Sequence, residues 1–184
     1  KINDDIAKYL YTGIVSDTDR FLHDYTSKRT FELVNYLFEN SDFKLTSIYE
    51  PLYMRPLEEI RFQGYIENNM IVTENGFGYI KLDDEILKEY NVDAATAGNM
   101  VNDFNYIEEM YAWAVFSYDR VTNLIRGSIR SRGPIINETA SHFGGGGHAL
   151  ASGVKLPSFE RADELIDALD EACRKYNEEH KKED

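Results

Sequence analysis

Ile2, Ile6 and Leu10, with Ala7 and Tyr9 beside them, recur at helical spacing and Gly13 follows as a stop, so the pattern predicts an opening helix. A loop over residues 13–21 comes next. Ser27 is positioned to cap a second helix in which Phe31, Val34 or Leu33, and Leu37 or Phe38 share a face. The polar Glu39-Asn40-Ser41-Asp42 stretch ends it. From Leu45 to Arg61 the periodicity is mixed helical, with Pro51 and Pro56 as boundaries or kinks, and the domain junction is placed there.

The pattern changes at Asn69. Two apolar arms flank Asn75-Gly76, which predicts a β-hairpin. Helices are expected at 83–90 and 94–104. Strands are expected at Met110–Tyr118 and Asn123–Arg130, the first so uniformly apolar that both its faces should be covered. A short helix ends near His142. Ser158 then caps a last helix whose apolar face carries Ala162, Leu165, Ile166, Leu169, Ala172, Cys173 and Tyr176, leaving a frayed polar tail over 177–184. The fold class that follows is mixed α/β. A C-terminal mixed β-sheet domain with packed helices (69–184) follows a linker (46–68) and a helical N-terminal part (1–45).

Composition narrows the function. The 184 residues are 42% apolar, enough to bury a core, and carry a formal charge of -13. That charge argues against a basic face gripping duplex DNA, so any polyanion must be met locally. The single cysteine, Cys173, excludes an intramolecular disulfide and a thiolate zinc site, and a cytoplasmic location is expected. No apolar run approaches a membrane span. The chain starts at Lys1 without an initiator methionine, and a missing upstream segment is expected.

Local chemistry concentrates at Gly144-Gly145-Gly146-Gly147-His148. Four glycines cost conformational entropy in regular structure, whereas backbone N–H groups turned inward together form a nest for phosphate oxygens, which His148 can join as a donor. A flexible linker is the plain alternative. Upstream, strand parity places Arg126, Ser128, Arg130 and Arg132 on one face, where guanidinium forks suit a phosphate; a solvated face paired with carboxylates is the alternative. Asp17 and Asp19, one residue apart, can ligate a cation or simply cap a turn. The four histidines, His23, His142, His148 and His180, form no close metal-ligand pair.

The run Arg130-Ser131-Arg132, Asn137, Ala140, Phe143 and Gly144 through Gly153 resembles the DHH-associated C-terminal domain of DHH-family phosphoesterases. Leu10 through Thr18, with Arg20-Phe21 and Thr26 to Thr30, resembles the last metal-binding motif of that family's catalytic domain. Together the motifs are most similar to the small oligoribonucleases that also dephosphorylate 3'-phosphoadenosine 5'-phosphate. The resemblance implies a catalytic domain with two manganese ions, Asp17 being one metal ligand and catalytic residue, and residues 1–45 the end of that α/β domain. It also implies substrate contacts from Arg130, Ser131 and Gly144 to His148, to which the arginine face adds Arg126 and Arg132.

Short oligoribonucleotides or small nucleotides are the expected partners, and a homodimer is compatible with the family. The chain departs from the pattern in lacking the Asp-His-His triplet and the earlier aspartate motifs, and in carrying Asp19 where the small oligoribonucleases usually have glycine. These 184 residues are therefore expected to bind nucleotide phosphate but to be inactive alone. A cyclic-dinucleotide phosphodiesterase or single-strand exonuclease of the same family, and a non-enzymatic nucleotide-binding regulatory module, are the competing expectations.

Overall fold

A computed structural model describes residues 2–180 and divides the chain into two compact units, residues 1–55 and 56–184. In the first unit, α1 (Asp4–Asp17) starts where the Asn3 side chain accepts the Ile6 N–H at 2.8 Å, with Asp4 and Asp5 complementing the helix dipole. The helix runs through Gly13, past the expected stop. Its buried face is Ala7, Tyr11 and Val15, one residue along from the Ile6 and Leu10 positions, which stay exposed. Nothing about glycine forbids a helix interior when the i, i+4, i+8 contacts on the other side are made.

Helix α2 (Lys28–Glu39) begins with a Ser27–Thr30 capping box and buries only Leu37, while Phe31, Leu33 and Phe38 remain largely exposed. Helix α3 (Thr46–Tyr53) contains Pro51. The core of this unit is aromatic: Tyr11 meets Phe38 edge-on with ring centroids 5.4 Å apart, and its hydroxyl hydrogen-bonds that of Tyr49 at 2.9 Å. Residues 46–68, expected as a linker, are helical except for Met54, Arg55 and Pro56. Helix α3 packs in the first unit, whereas α4 (Leu57–Asn69), immediately after Pro56, buries Phe62 and Ile66 in the second.

The second unit is a six-stranded mixed sheet in the order β1-β2-β3-β4-β6-β5. Its strands are β1 (Ile71–Val72), β2 (Phe77–Leu82), β3 (Ala112–Asp119), β4 (Leu124–Ser131), β5 (Gly146–His148) and β6 (Ala151–Leu156). Strands β1 and β2 form the expected hairpin, and β2 and β3 pair in parallel. That pairing requires a crossover, supplied by α5 (Asp84–Glu89), α6 (Ala94–Asn99) and a 3-10 turn (Met100–Phe104). All of β3 except the half-buried Tyr118 is buried, as its apolar run predicts.

Two cores sandwich the sheet. On one face α7 (Asn137–His142) and α8 (Phe159–His180) bury Ile136, Ala140, Leu165 and Leu169 against Ala112, Ala114, Phe116, Ile125 and Ile129. On the other, Phe62, Leu87, Val101 and Phe104 cover Trp113 and Val115, and the Trp113 indole N–H donates to the Val101 carbonyl at 2.6 Å. Helix α8 continues to His180, so residues 177–180 of the expected frayed tail are helical and the remainder lies outside the described residues. Its Asp170 carboxylate accepts from Thr73 and Asn75, and Asn177 donates to the Asn75 carbonyl, tying the hairpin turn to the helix.

Candidate functional site

Strand register builds the site. Arg130 pairs with Trp113 on β3 and Ala151 on β6, and Ala151 pairs with His148 on β5, so all four share one row and one face. The next row is Val115, Ser128, Gly153 and Gly146; the one after is Ser117, Arg126 and Lys155. Over β3 this face is covered by α6 and the 3-10 turn. Beyond their edge, on β4, β6 and β5, it opens into a cavity of about 310 Å³ lined by Arg126, Ser128, Gly146, Gly153 and Lys155 among others. With Gly146 and Gly153 opposite one another, its floor has no side chains over two adjacent strands.

The glycine run works differently from the expected nest. The Gly144 N–H donates to Ser141 at 3.0 Å and the Gly145 N–H to Ala140 at 2.9 Å, so both satisfy the last carbonyls of α7. A Cβ on Gly145 would lie 2.3 Å from the Gly153 carbonyl oxygen, and one on Gly147, whose φ is +145°, would lie 2.4 Å from that of Ala151. Close packing and a left-handed backbone therefore account for two glycines that the sequence alone could not assign to packing. The result is a flat strand edge instead of a concave loop. His148 stands exposed at its end, in the row of Arg130.

The arginines are not equivalent. Arg130 is half-buried against the 3-10 turn, its Nε donating to Asn102 Oδ1 at 3.1 Å, and burial lowers its pKa from the ordinary guanidinium value. It remains a cation, because guanidinium starts so high. Arg126 lies 3.7 Å from Asp119 and is largely exposed. The Val121 backbone N–H, more than Arg126, holds the Asp119 carboxyl below the usual range. Arg132 reaches into the loop before β3 and donates to the carbonyls of Asn105, Ile107 and Glu108, so its fork serves the loop.

Ser131 points to the opposite face. It is buried, donates to the Pro134 carbonyl at 2.6 Å and accepts from the Gly133 N–H. The structure thus brings Arg126, Arg130, His148 and the glycine floor together, and sets Ser131 and Arg132 to shaping the turn after β4. Sequence reasoning missed β6 and, with it, Lys155. The signal was the alternation Ser152, Val154, Leu156 inward against Ala151, Gly153, Lys155 outward.

In the first unit Asp17 closes α1, exposed, its backbone carbonyl accepting the Tyr25 hydroxyl. Thr18 is buried, donating to the Ile14 carbonyl at 2.7 Å and accepting the Phe21 N–H. Asp19, Arg20 and Phe21 then run through positive φ values of 43°, 61° and 71°, with Asp19 paired to Arg20 at 2.9 Å. No group of three or more His, Cys, Asp or Glu side chains is gathered among the described residues. Asp17 and Asp19 by themselves therefore do not fit a manganese pair.

Another cavity of the second unit, about 380 Å³ beside Pro56, Tyr90 and Thr96, is lined by the carboxylates of Glu58, Glu59 and Asp93 and by Arg120, itself paired with Asp84. That lining opposes a phosphate, whereas the glycine-floored cavity is lined by the cations Arg126 and Lys155 and by no carboxylate. Charge, more than volume, selects between them.

A model of the DHHA1 domain matches residues 76–175. The bifunctional oligoribonuclease and PAP phosphatase NrnA of Bacillus subtilis is 32% identical over 96% of this chain and 55% of its own length. The protein of the same name from Mycoplasma pneumoniae is 32% identical over 86% of the chain and 48% of its own. The chain thus spans about half the length of these relatives. An exopolyphosphatase-related protein from Bacteroides fragilis shares the fold with a TM-score of 0.80 and 22% identity, over 94% of this chain and 53% of its own. With its DHHA1 domain matched across strands β2 to β6 and most of α8, the chain belongs to the DHH-family phosphoesterases.

Proposed function

We propose that the protein is a manganese-dependent phosphoesterase of short oligoribonucleotides and 3'-phosphoadenosine 5'-phosphate, and that residues 56–184 hold its substrate. The observation that carries the reading is the single row of Arg130, Ala151 and His148 beside the Gly146–Gly153 floor. Arg130 presents guanidinium N–H donors and His148 an imidazole, two strand spacings apart or about 10 Å, with only the Ala151 methyl between. A terminal phosphate bridges toward both, while a ribose or base rests on the bare peptide surface. The names of the relatives support the choice of substrate.

In this reading Arg126 adds charge at the far side, Gly144 to Gly147 keep the floor flat, and Ser131 and Arg132 position Arg130 by fixing the turn that follows it. Asp17 would be one ligand of a dinuclear manganese centre, whose chemistry would be to activate water and to neutralise phosphoryl charge. The 184 residues alone bind nucleotide without turning it over.

Calorimetric titration of the 184-residue chain with 3'-phosphoadenosine 5'-phosphate tests the binding half. Arg130→Ala and His148→Ala should each cost about 2 kcal/mol of binding, roughly thirtyfold in affinity, with little change in thermal midpoint. Parent-like binding by either variant removes that residue from the site. In the full-length enzyme, Asp17→Asn should lower manganese-dependent turnover by orders of magnitude, and an unchanged rate removes Asp17. Running cyclic dinucleotides beside linear ones tests the substrate class: preferential cleavage of the cyclic ligand contradicts it.

A further inference from the structure

Arg126 and Lys155 are cross-strand partners on the open face, two residues along their strands from the Ser128–Gly153 row and four from the Arg130–Ala151 row. Four strand residues place the backbone of this pair about 13 Å from that of Arg130, so the pair offers a phosphate a position of its own. Both side chains line the glycine-floored cavity. Arg126 is partly balanced by Asp119 at 3.7 Å, while Lys155 forms no ion pair among the described residues. The Thr96 backbone N–H, helped by Arg126, also lowers the Asp93 carboxyl, so in a chain of net charge -13 the uncompensated cation here is Lys155, exposed on the face of the bare glycine floor.

We propose that Arg126 and Lys155 form a second phosphate contact at the other end of the floor, so that the site measures substrate length by holding two phosphates of one short strand. The inference rests on the proposed function, since it assumes that Arg130 and His148 take the first phosphate. Over β6 and β5 the floor accepts a nucleoside without selecting its base, because Gly146 and Gly153 offer no side-chain donor or acceptor, and Ser128 on β4 is the one side chain of that row able to hydrogen-bond it. Longer strands gain a contact that a mononucleotide cannot reach. Lys155 supplies it as a point charge, and Arg126 follows the strand's own phosphate once Asp119 is outcompeted.

The test uses the 184-residue chain with EDTA present, titrated with AMP and with 5'-phosphorylated di- and triadenylate. The parent should bind the triadenylate more tightly than AMP. Lys155→Ala should reduce that affinity ratio about tenfold. Lys155→Arg should restore most of it, and Lys155→Glu should abolish it. The salt dependence of triadenylate binding should flatten by about 0.7 in log–log slope for Lys155→Ala. If AMP binds through Arg130 and His148 but Lys155→Ala weakens all three ligands equally, or none, the second contact is overturned and the first stands. If none of the three binds the parent, the proposed function falls and this inference with it.

Discussion

The three arginines of the β4 face, Arg126, Arg130 and Arg132, look alike in the sequence and are distinguished by their neighbours. Arg132 spends its fork on the carbonyls of Asn105, Ile107 and Glu108, while Arg130 donates to the exposed Asn102 side chain of the 3-10 turn and to the Ile129 carbonyl of its own strand. Arg132→Ala should therefore lower the unfolding free energy by about 1–3 kcal/mol in urea titration, because it leaves loop carbonyls unpaired. Arg130→Ala should leave that free energy nearly unchanged. Equal destabilisation by the two would contradict the division. Asp19 is the other telling residue: its φ of 43° favours glycine, and its ion pair with Arg20 is solvent-exposed and worth little. Asp19→Gly should stabilise the first unit by about 1 kcal/mol, measured by urea unfolding. Destabilisation would mean that the pair matters more than the backbone.

At the scale of elements, period and punctuation located most of the fold. The hairpin at Asn75-Gly76, the buried run of β3, and the capped α8 appear where the pattern puts them, because each signal is local and strong. The failures share a cause. Gly13 is helical, and Gly146 to His148 form a strand, because contacts from distant segments overrode a local breaker signal. β6 supplies the carbonyls that Gly145 and Gly147 approach, and nothing near those glycines in sequence announces it. Within the candidate site, parity found Arg126 and Arg130, but the register that sets His148 in Arg130's row depends on β6 lying between them. The hairpin-to-helix tie is a separate check on the sheet's far side. Asp170→Ala removes acceptors for Thr73 and Asn75 and should cost about 1–3 kcal/mol in urea unfolding, with nucleotide affinity retained.

On the scale of the whole chain, the two units differ in core. The first buries Ala7, Tyr11, Val15, Leu37 and Ile48 around an aromatic cluster, while the second has two extended cores on either side of a sheet. A unit of some 55 residues with so few buried side chains is marginal. Amides of α1 and α2 should exchange with solvent through low-energy openings, and those of β3 and β4 only through unfolding of the second unit. Cys173 provides a chemical readout of the same core, since burial pushes its thiol up to about 12 and removes the reactive thiolate. The formal charge of -13 fits local recognition of a small anion better than a long polyanion track.

The central claim, that the open face of β4, β6 and β5 holds nucleotide phosphate, is tested most directly by titrating the isotope-labelled chain with 3'-phosphoadenosine 5'-phosphate and following backbone amide resonances. Saturable shifts should concentrate at Ser128, Arg130, Gly144 to His148 and Gly153, and be lost in Arg130→Ala. Saturable shifts centred instead on Tyr90, Asp93 and Thr96, or no saturable shift at millimolar ligand, would contradict it.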